Sequence, residues 1–477
     1  MQRKSGVLMH VSSLNGDYSV GSLGREAFEF IDFLAEGGFS YWQILPLCMT
    51  DECNSPYKSL SSFAGNPMLI DLPTLALKGL LTSKELEGAR QTTPYYCEYD
   101  RLSAERLDML RIAASRVADK KPIIDFIDTD RELSAACEFM ALREANGGRP
   151  WYEWTSDSVD ESELFFWKFA QYEFFSQWGE VKKYANSKGI EIIGDLPIYV
   201  ALDSCDVWAN KQLFLIDKDN APTCVAGVPP DYFSSEGQLW GNPLYDWSAM
   251  ARDGYAWWGR RISAMLSMLD GIRIDHFRAL EAYWSIPAGA KSAKEGHWEK
   301  GPGKSFIDRI KEIAGEKLII AEDLGDITDG VRELLEYSGF PGMRVLQFGF
   351  LGEENSIHMP HNYPKNCIAY TGTHDNNTLL GFIWESNDTD RKRLFDYCNA
   401  ELDNWEASYE KVIKTVLASA ADTVIVPIQD LLRFGSDTRM NIPGKPAGNW
   451  QYRITRENLE SIDIGRYAYL NKLYGRI

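Results

Sequence analysis

Short apolar runs that end on polar or charged residues recur along the chain, with helical periodicity between them. The runs are 5–11 (SGVLMHV), 41–47 (YWQILPL), 190–200 (IEIIGDLPIYV), 271–276 (GIRIDH), 318–323 (LIIAED), 343–350 (MRVLQFGF), 367–375 (CIAYTGTHD) and 423–430 (TVIVPIQD). Runs of this length and β-branched content suit strands buried on both faces. Between the first two, Ala27, Phe30, Ile31, Leu34 and Ala35 recur at the spacing of one helix face, which stops at Gly37-Gly38. That is a strand–helix–strand unit. Eight such strands separated by helical stretches predict an α/β fold, a (β/α)8 TIM barrel spanning 1–477.

The spacing of the runs is uneven. From about 73 to 161 the pattern is helical without a strand: Leu107, Leu110, Ala114 and Val117 mark one amphipathic face, and 130–146 carries another. This reads as a helical subdomain inserted between the second and third strands. A second interruption, 201–255, is rich in Gly, Pro and aromatics and contains GVPPDYFSSEGQLWGNPLYDW. It reads as a loop-rich subdomain lining a substrate groove, because loops of that length are commonly functional. There is no internal repeat and no low-complexity tract.

Composition narrows the partners. Fifty Lys and Arg against 69 Asp and Glu leave a formal charge of −19, which argues against nucleic acid or an anionic membrane as partner. A neutral substrate suits it better. The 15 Trp, 23 Tyr and 22 Phe are a high count that core packing could largely absorb, and that also fits a protein that stacks on sugar rings. The eight Cys are scattered without a Cys-x-x-Cys pair, the usage of free thiols in a reducing compartment. With no signal-peptide core and no apolar stretch near the ~20 residues of a membrane span, a cytoplasmic location is expected.

In a barrel of this kind the site forms at the C-terminal ends of the strands. The third strand ends with Asp195, the fourth with Arg273, Asp275 and His276, the fifth with Glu322 and Asp323, and the seventh with His374 and Asp375. Several carboxylates at one mouth, beside an Arg and a His, meet the needs of glycoside chemistry. One must be ionised to attack the anomeric carbon, and another must hold a proton for the leaving oxygen. Strand alternation puts Arg273 and Asp275 on one face, where the guanidinium is expected to keep Asp275 ionised. The same alternation turns His276 away, into a structural role.

These residues also carry a resemblance. GIRIDHFRAL (271–280), LIIAEDLGD (318–326) and YTGTHDNNTLLG (370–381) resemble the fourth-, fifth- and seventh-strand motifs of the α-amylase clan. SPYKSLSSFAGNP (55–67) and AGVPPDYFSSEGQLWGNPLYDW (226–247) are more specific and resemble the 4-α-glucanotransferases of glycoside hydrolase family 77, and the resemblance runs from GVLMHVSSL to NIPGKPAGNW (441–450). The opening reads HVSSL where that family leads one to expect a His-Pro-Thr-Ser-Leu-like start. The resemblance implies a barrel without a C-terminal β-sandwich. It also implies a retaining 4-α-glucanotransferase that moves α-1,4-glucan segments between maltooligosaccharides without cofactor or metal. Asp275 is then the nucleophile, Glu322 the acid/base and Asp375 the third carboxylate. Arg273 and His374 flank the reacting sugar, and Tyr57, Asp195, Tyr232, Gln238, Trp240 and Asn441 line the glucan groove.

Two further patterns carry less. GPGKS (301–305) shares the end of a phosphate-binding P-loop, but residue 298 is Trp where that motif needs Gly and no apolar strand precedes it. His358 and His361 are separated by Pro360 and lack a nearby carboxylate, so both read as loop histidines rather than metal ligands.

Overall fold

A computed structural model describes residues 3–50, 53–230, 236–352, 355–401, 404–445 and 447–477. Twelve strands occur among them: β1 (Lys4–Leu8), β2 (Tyr41–Gln43), β3 (Glu191–Leu196), β4 (Cys224–Val228), β5 (Gln238–Pro243), β6 (Gly271–Ile274), β7 (Ala282–Pro287), β8 (His297–Lys300), β9 (Leu318–Ala321), β10 (Gly342–Val345), β11 (Cys367–Tyr370) and β12 (Thr423–Pro427). Eight of them close a barrel in the order β1-β12-β11-β10-β9-β6-β3-β2. Every neighbouring pair is parallel. Each of the eight apolar runs of the sequence supplies one of these strands. Parallel strands need a crossover, and the helices between them wrap the outside, which makes this a (β/α)8 barrel.

The helix between β1 and β2 shows how the sequence specifies these units. It spans Arg25–Glu36, buries Ala27, Phe30, Ile31, Phe33 and Leu34, and stops where Gly38 takes φ 65°. Only glycine enters that left-handed region without strain. Inside β1, Gly6 lets the next strand approach: a Cβ there would lie 2.5 Å from Tyr41 Cβ. Trp42 of β2 is fully buried, and its indole N–H donates to the Met9 carbonyl at 2.7 Å. At the opposite end of the barrel the C-terminal Arg476, also fully buried, donates to the carbonyls of Leu417, Lys4, Asp422, Ser419 and Ala421. One guanidinium thus ties β1, the entry to β12 and the preceding helix together.

Between β2 and β3 the helices Tyr99–Ser115, Lys121–Asp128 and Arg131–Ala145 pack against the long helix Glu161–Ser187. The first buries Leu110, Ala113 and Ala114. The third is capped by Asp130, whose carboxylate accepts from the N–H groups of Glu132 and Leu133. A second, four-stranded antiparallel sheet in the order β5-β4-β7-β8 stands on the barrel rim. Two of its strands come from the Gly- and Pro-rich stretch 201–255, and two follow β6. The pattern there conceals strands because β4 shifts register between Val225 and Gly227 and β5 carries Gly241 at φ 80°. After β12 the described residues form helices and turns without another strand. Among the described residues no helix is long and apolar enough to cross a membrane.

Candidate active site

Parallel pairing sets the positions of the strand-end side chains. Asp195 lies near the end of β3 in register with Arg273 of β6, and Arg273 in turn with Ile320 of β9. Asp275 and Glu322 each follow the last residue of their strand. The Asp275 N–H donates to the Leu196 carbonyl and the Glu322 N–H to the Ile274 carbonyl, so the barrel ladder continues one step into the site.

Arg273 is the hub. Its Nε and Nη2 donate to Asp195 Oδ2 at 3.0 and 2.6 Å, and Nη2 also reaches Asp275 Oδ1 at 2.9 Å. Tyr57 donates its hydroxyl to the same Asp195 oxygen at 2.6 Å. Asp195 and Arg273 are buried, a pairing that needs such geometry to offset desolvation. Tyr57 stacks on His374 with ring centroids 5.2 Å apart, and Trp450 lies 5.7 Å from Tyr57 and 6.1 Å from His374. His374 Nε2 sits 3.3 Å from Asp375 Oδ2, while Asn441 donates to Asp375 Oδ1 at 2.6 Å. Glu322 accepts from two backbone N–H groups, of His276 at 2.7 Å and Leu324 at 3.0 Å.

The carboxyls differ sharply in proton affinity. Glu322 is pushed up to about 8, first by its enclosed position and then by the charge of Asp275, with Arg273 and the two N–H groups opposing. Asp275 is raised to about 6: burial outweighs the pull of Arg273, and Asp195 and Asp375 add repulsion. Arg273 favours the ionised form of Asp275, as its place on the same strand face leads one to expect, but its guanidinium is shared with Asp195. At neutral pH Asp275 is still about nine-tenths ionised. Burial also acts to raise Asp375, but the His374 charge and hydrogen bond, then the Asn441 bond, hold it well below the usual carboxylate range. One cleft therefore presents a carboxylic acid beside two carboxylates.

The other sequence candidates fall in distinct places. Gln238 and Trp240 lie on β5, with the Trp240 indole donating to Gln238 Oε1 at 3.1 Å. Trp240 is 38% exposed and meets the His276 ring edge-on at 5.1 Å. His276 does not obey strand alternation, because it lies past β6 in a left-handed turn at φ 54°. That turn aims its N–H at Glu322 and its ring at Trp240. Asp323 leaves the cleft: it accepts from the Met343 N–H at 2.5 Å and pairs with Arg344 at 2.9 Å, joining β9 to β10. Tyr232 lies outside the described residues. Trp450 is the neighbour that sequence reasoning passed over, although it closes the NIPGKPAGNW segment. His358 accepts from the Val345 N–H and His361 meets the Tyr397 hydroxyl, both loop contacts. Among the described residues no group of three or more His, Cys, Asp or Glu is placed to hold a metal ion.

Comparison with known proteins gives a consistent result. The family described as 4-alpha-glucanotransferase matches residues 9–459. A 4-alpha-glucanotransferase of Streptococcus pneumoniae is 43% identical over 496 residues, covering 100% of this chain and 98% of that protein. One from Thermus thermophilus is 41% identical over 488 residues, covering 95% of each. The amylomaltase of Streptococcus agalactiae, solved in complex with acarbose, superposes with a TM-score of 0.95 at 38% identity and 100% coverage of both chains. The amylomaltase of Corynebacterium glutamicum shares the fold, with a TM-score of 0.83 at 19% identity, over 100% of this chain and 75% of that one.

Proposed function

The chain belongs to the 4-alpha-glucanotransferase family, glycoside hydrolase family 77, and on that premise we propose that it is a retaining transferase acting on α-1,4-glucans through a covalent glycosyl-enzyme on Asp275. The observation that carries this reading is geometric: Arg273 donates to Asp275, two backbone N–H groups donate to Glu322, and Asn441 and His374 hold Asp375. Burial raises the proton affinity of Glu322 while Asp375 is held low. Glu322 gives its proton to the glycosidic oxygen as the Asp275 carboxylate attacks the anomeric carbon, and the reducing-side glucan leaves with its 4-hydroxyl restored. The ester formed on Asp275 carries no charge. The repulsion that helped raise Glu322 then vanishes while Arg273 remains, so Glu322, having given up its proton, is stable as a carboxylate and can serve as a base. It takes the proton of an incoming sugar 4-hydroxyl, whose oxygen displaces Asp275 from the anomeric carbon. The bond made resembles the bond broken, so the cycle needs no energy source.

Asp375, ionised and held by Asn441 and His374, is suited to accept hydroxyl hydrogen bonds of the reacting sugar and to stabilise positive charge on its ring. Tyr57, His374 and Trp450 offer an aromatic wall, and Trp240, beside His276, a further exposed ring. The acarbose bound by the Streptococcus agalactiae amylomaltase supports an α-glucan ligand for this cleft. Water, the competing acceptor, loses if the second sugar is well held, because effective molarities of about 10⁵ M or more are reachable for positioned groups. Incubation with maltotriose followed by chromatography is the test. Glucose together with maltotetraose, maltopentaose and longer chains is expected, at nearly constant total reducing ends. A steady rise in reducing ends without longer products makes the protein a hydrolase, and unchanged maltotriose makes it a binding protein.

A further inference from the structure

The seventh-strand motif runs from Thr371 to Leu379 as a loop between β11 and the helix Leu379–Glu385, with His374 and Asp375 at its middle. Both ends of that loop meet one side chain. Thr371 Oγ1 donates to Asp430 Oδ2 at 2.5 Å, and the Leu379 N–H donates to Asp430 Oδ1 at 2.7 Å. Asp430 closes the eighth apolar run and is fully buried, as is Thr371. Its own carbonyl is fixed by the Tyr409 hydroxyl at 2.9 Å, which anchors it to the helix Trp405–Ala418.

We propose that Asp430 is a positioning residue, a clamp that holds the 371–379 loop so that Asp375 and His374 face the reacting sugar. The choice of side chain follows from hydrogen-bond chemistry. The Leu379 N–H must donate, so the bridge needs an acceptor oxygen there and, toward the Thr371 hydroxyl, a second polar atom that either accepts or donates. A short planar carboxyl group offers both, whether ionised or protonated. Both partners are neutral, and a buried carboxyl group held by neutral partners costs free energy that an apolar residue in the short helix Ile428–Leu431 after β12 would not. Burial indeed raises Asp430 to about 7. A costly group kept beside the site is explained if the loop geometry depends on it. The loop interior adds its own bonds: Asn376 Oδ1 accepts from the Thr373 N–H and hydroxyl, and Gln347 donates to the Asn377 carbonyl at 2.7 Å. Those bonds shape the loop, while Asp430 fixes it to the barrel.

The inference rests on the reading of Asp375 as part of the machinery, so Asp375→Asn is measured alongside. Three variants test the clamp. Asp430→Ala opens both contacts, and Thr371→Val opens one with almost no change of volume. Asp430→Asn can keep both, since the Thr371 hydroxyl can turn and accept from the amide. Because a displacement of about 1 Å can cost 10²-fold, kcat on maltotriose should fall about 10- to 100-fold in Asp430→Ala and about 3- to 10-fold in Thr371→Val. KM should change less than kcat, and Asp430→Asn should restore kcat to within about threefold of the parent. Hydrogen–deuterium exchange across 371–379 should quicken in the first two variants only. If Asp430→Ala does not fold, Thr371→Val decides. Folded Asp430→Ala or Thr371→Val enzyme with kcat within twofold of the parent overturns the clamp. So does an Asp430→Asn loss equal to that of alanine. Unimpaired Asp375→Asn activity instead overturns the functional reading on which the clamp depends.

Discussion

On the proposed mechanism, the proton affinities of Asp275 and Glu322 set a pH profile that can be worked out in advance. The productive form has Asp275 ionised and Glu322 protonated. With Asp275 at about 6 and Glu322 at about 8, about nine-tenths of each is in the required state at pH 7. At pH 5 only about a tenth of Asp275 is ionised, and at pH 9 only about a tenth of Glu322 is protonated. kcat/KM should therefore fall about tenfold from pH 7 in either direction, giving a bell centred near neutrality.

Glu322→Gln separates the limbs. The amide keeps the size of the side chain and can still accept one backbone N–H, but it has no acidic proton to give. On maltotriose the loss should be about 10²- to 10⁴-fold, the usual span for a general acid. A maltosyl fluoride donor needs no protonation, because fluoride leaves unaided. On that donor the variant should form the glycosyl-enzyme at close to the parent rate and lose the basic limb entirely, while the acidic limb from Asp275 remains. Transfer to a sugar acceptor should stay slow, since the base is also missing. A profile that climbs steadily from pH 5 to 9 would refute the assignment of acid and nucleophile. A Glu322→Gln enzyme equally crippled on fluoride and maltotriose would do the same, since Glu322 would then be holding the fold of the site rather than moving a proton.

Asp195→Asn should lower stability by about 3–5 kcal/mol, the cost of leaving a buried Arg273 short of its partner, and should be read as a drop in thermal midpoint together with lost activity. Trp240→Ala, at a half-open position, should change stability by under about 1 kcal/mol yet raise KM for maltooligosaccharides several-fold; equal KM would place the ring outside the groove. Deleting the Arg476 side chain removes the donor to five carbonyls and should destabilise by about 3 kcal/mol or more while leaving kcat unchanged well below the melting range. Dialysis against EDTA should leave the rate unchanged; loss of activity restored by Ca²⁺ or Zn²⁺ would reveal a metal requirement that the three-carboxyl mechanism does not contain.

What the sequence made legible divides along a physical line. The eight barrel strands were visible because a strand buried on both faces must be continuously apolar, and the chemistry was visible because such a run can end only where polar side chains reach the mouth. Asp195, Arg273, Asp275, Glu322, His374 and Asp375 all lie at such boundaries. The rim sheet was concealed for the opposite reason. β5 reads QLWGNP, with Leu239 and Trp240 both partly exposed, so neither alternation nor a continuous run marks it. His276 escaped strand logic because periodicity holds only while the backbone stays extended, and its left-handed turn comes one residue after Asp275. Trp450 escaped because its value lies in contacts with Tyr57 and His374, residues far from it along the chain, which no local pattern encodes. Asp430 is the instructive case between these. The pattern placed it at the end of an apolar run like the other site residues, whereas the structure puts it in the helix Ile428–Leu431 beyond β12, with its hydrogen bonds turned to the 371–379 loop. Strand-end position thus selects residues that build the mouth of the barrel; which of them touch substrate is decided by what the neighbouring loops leave uncovered.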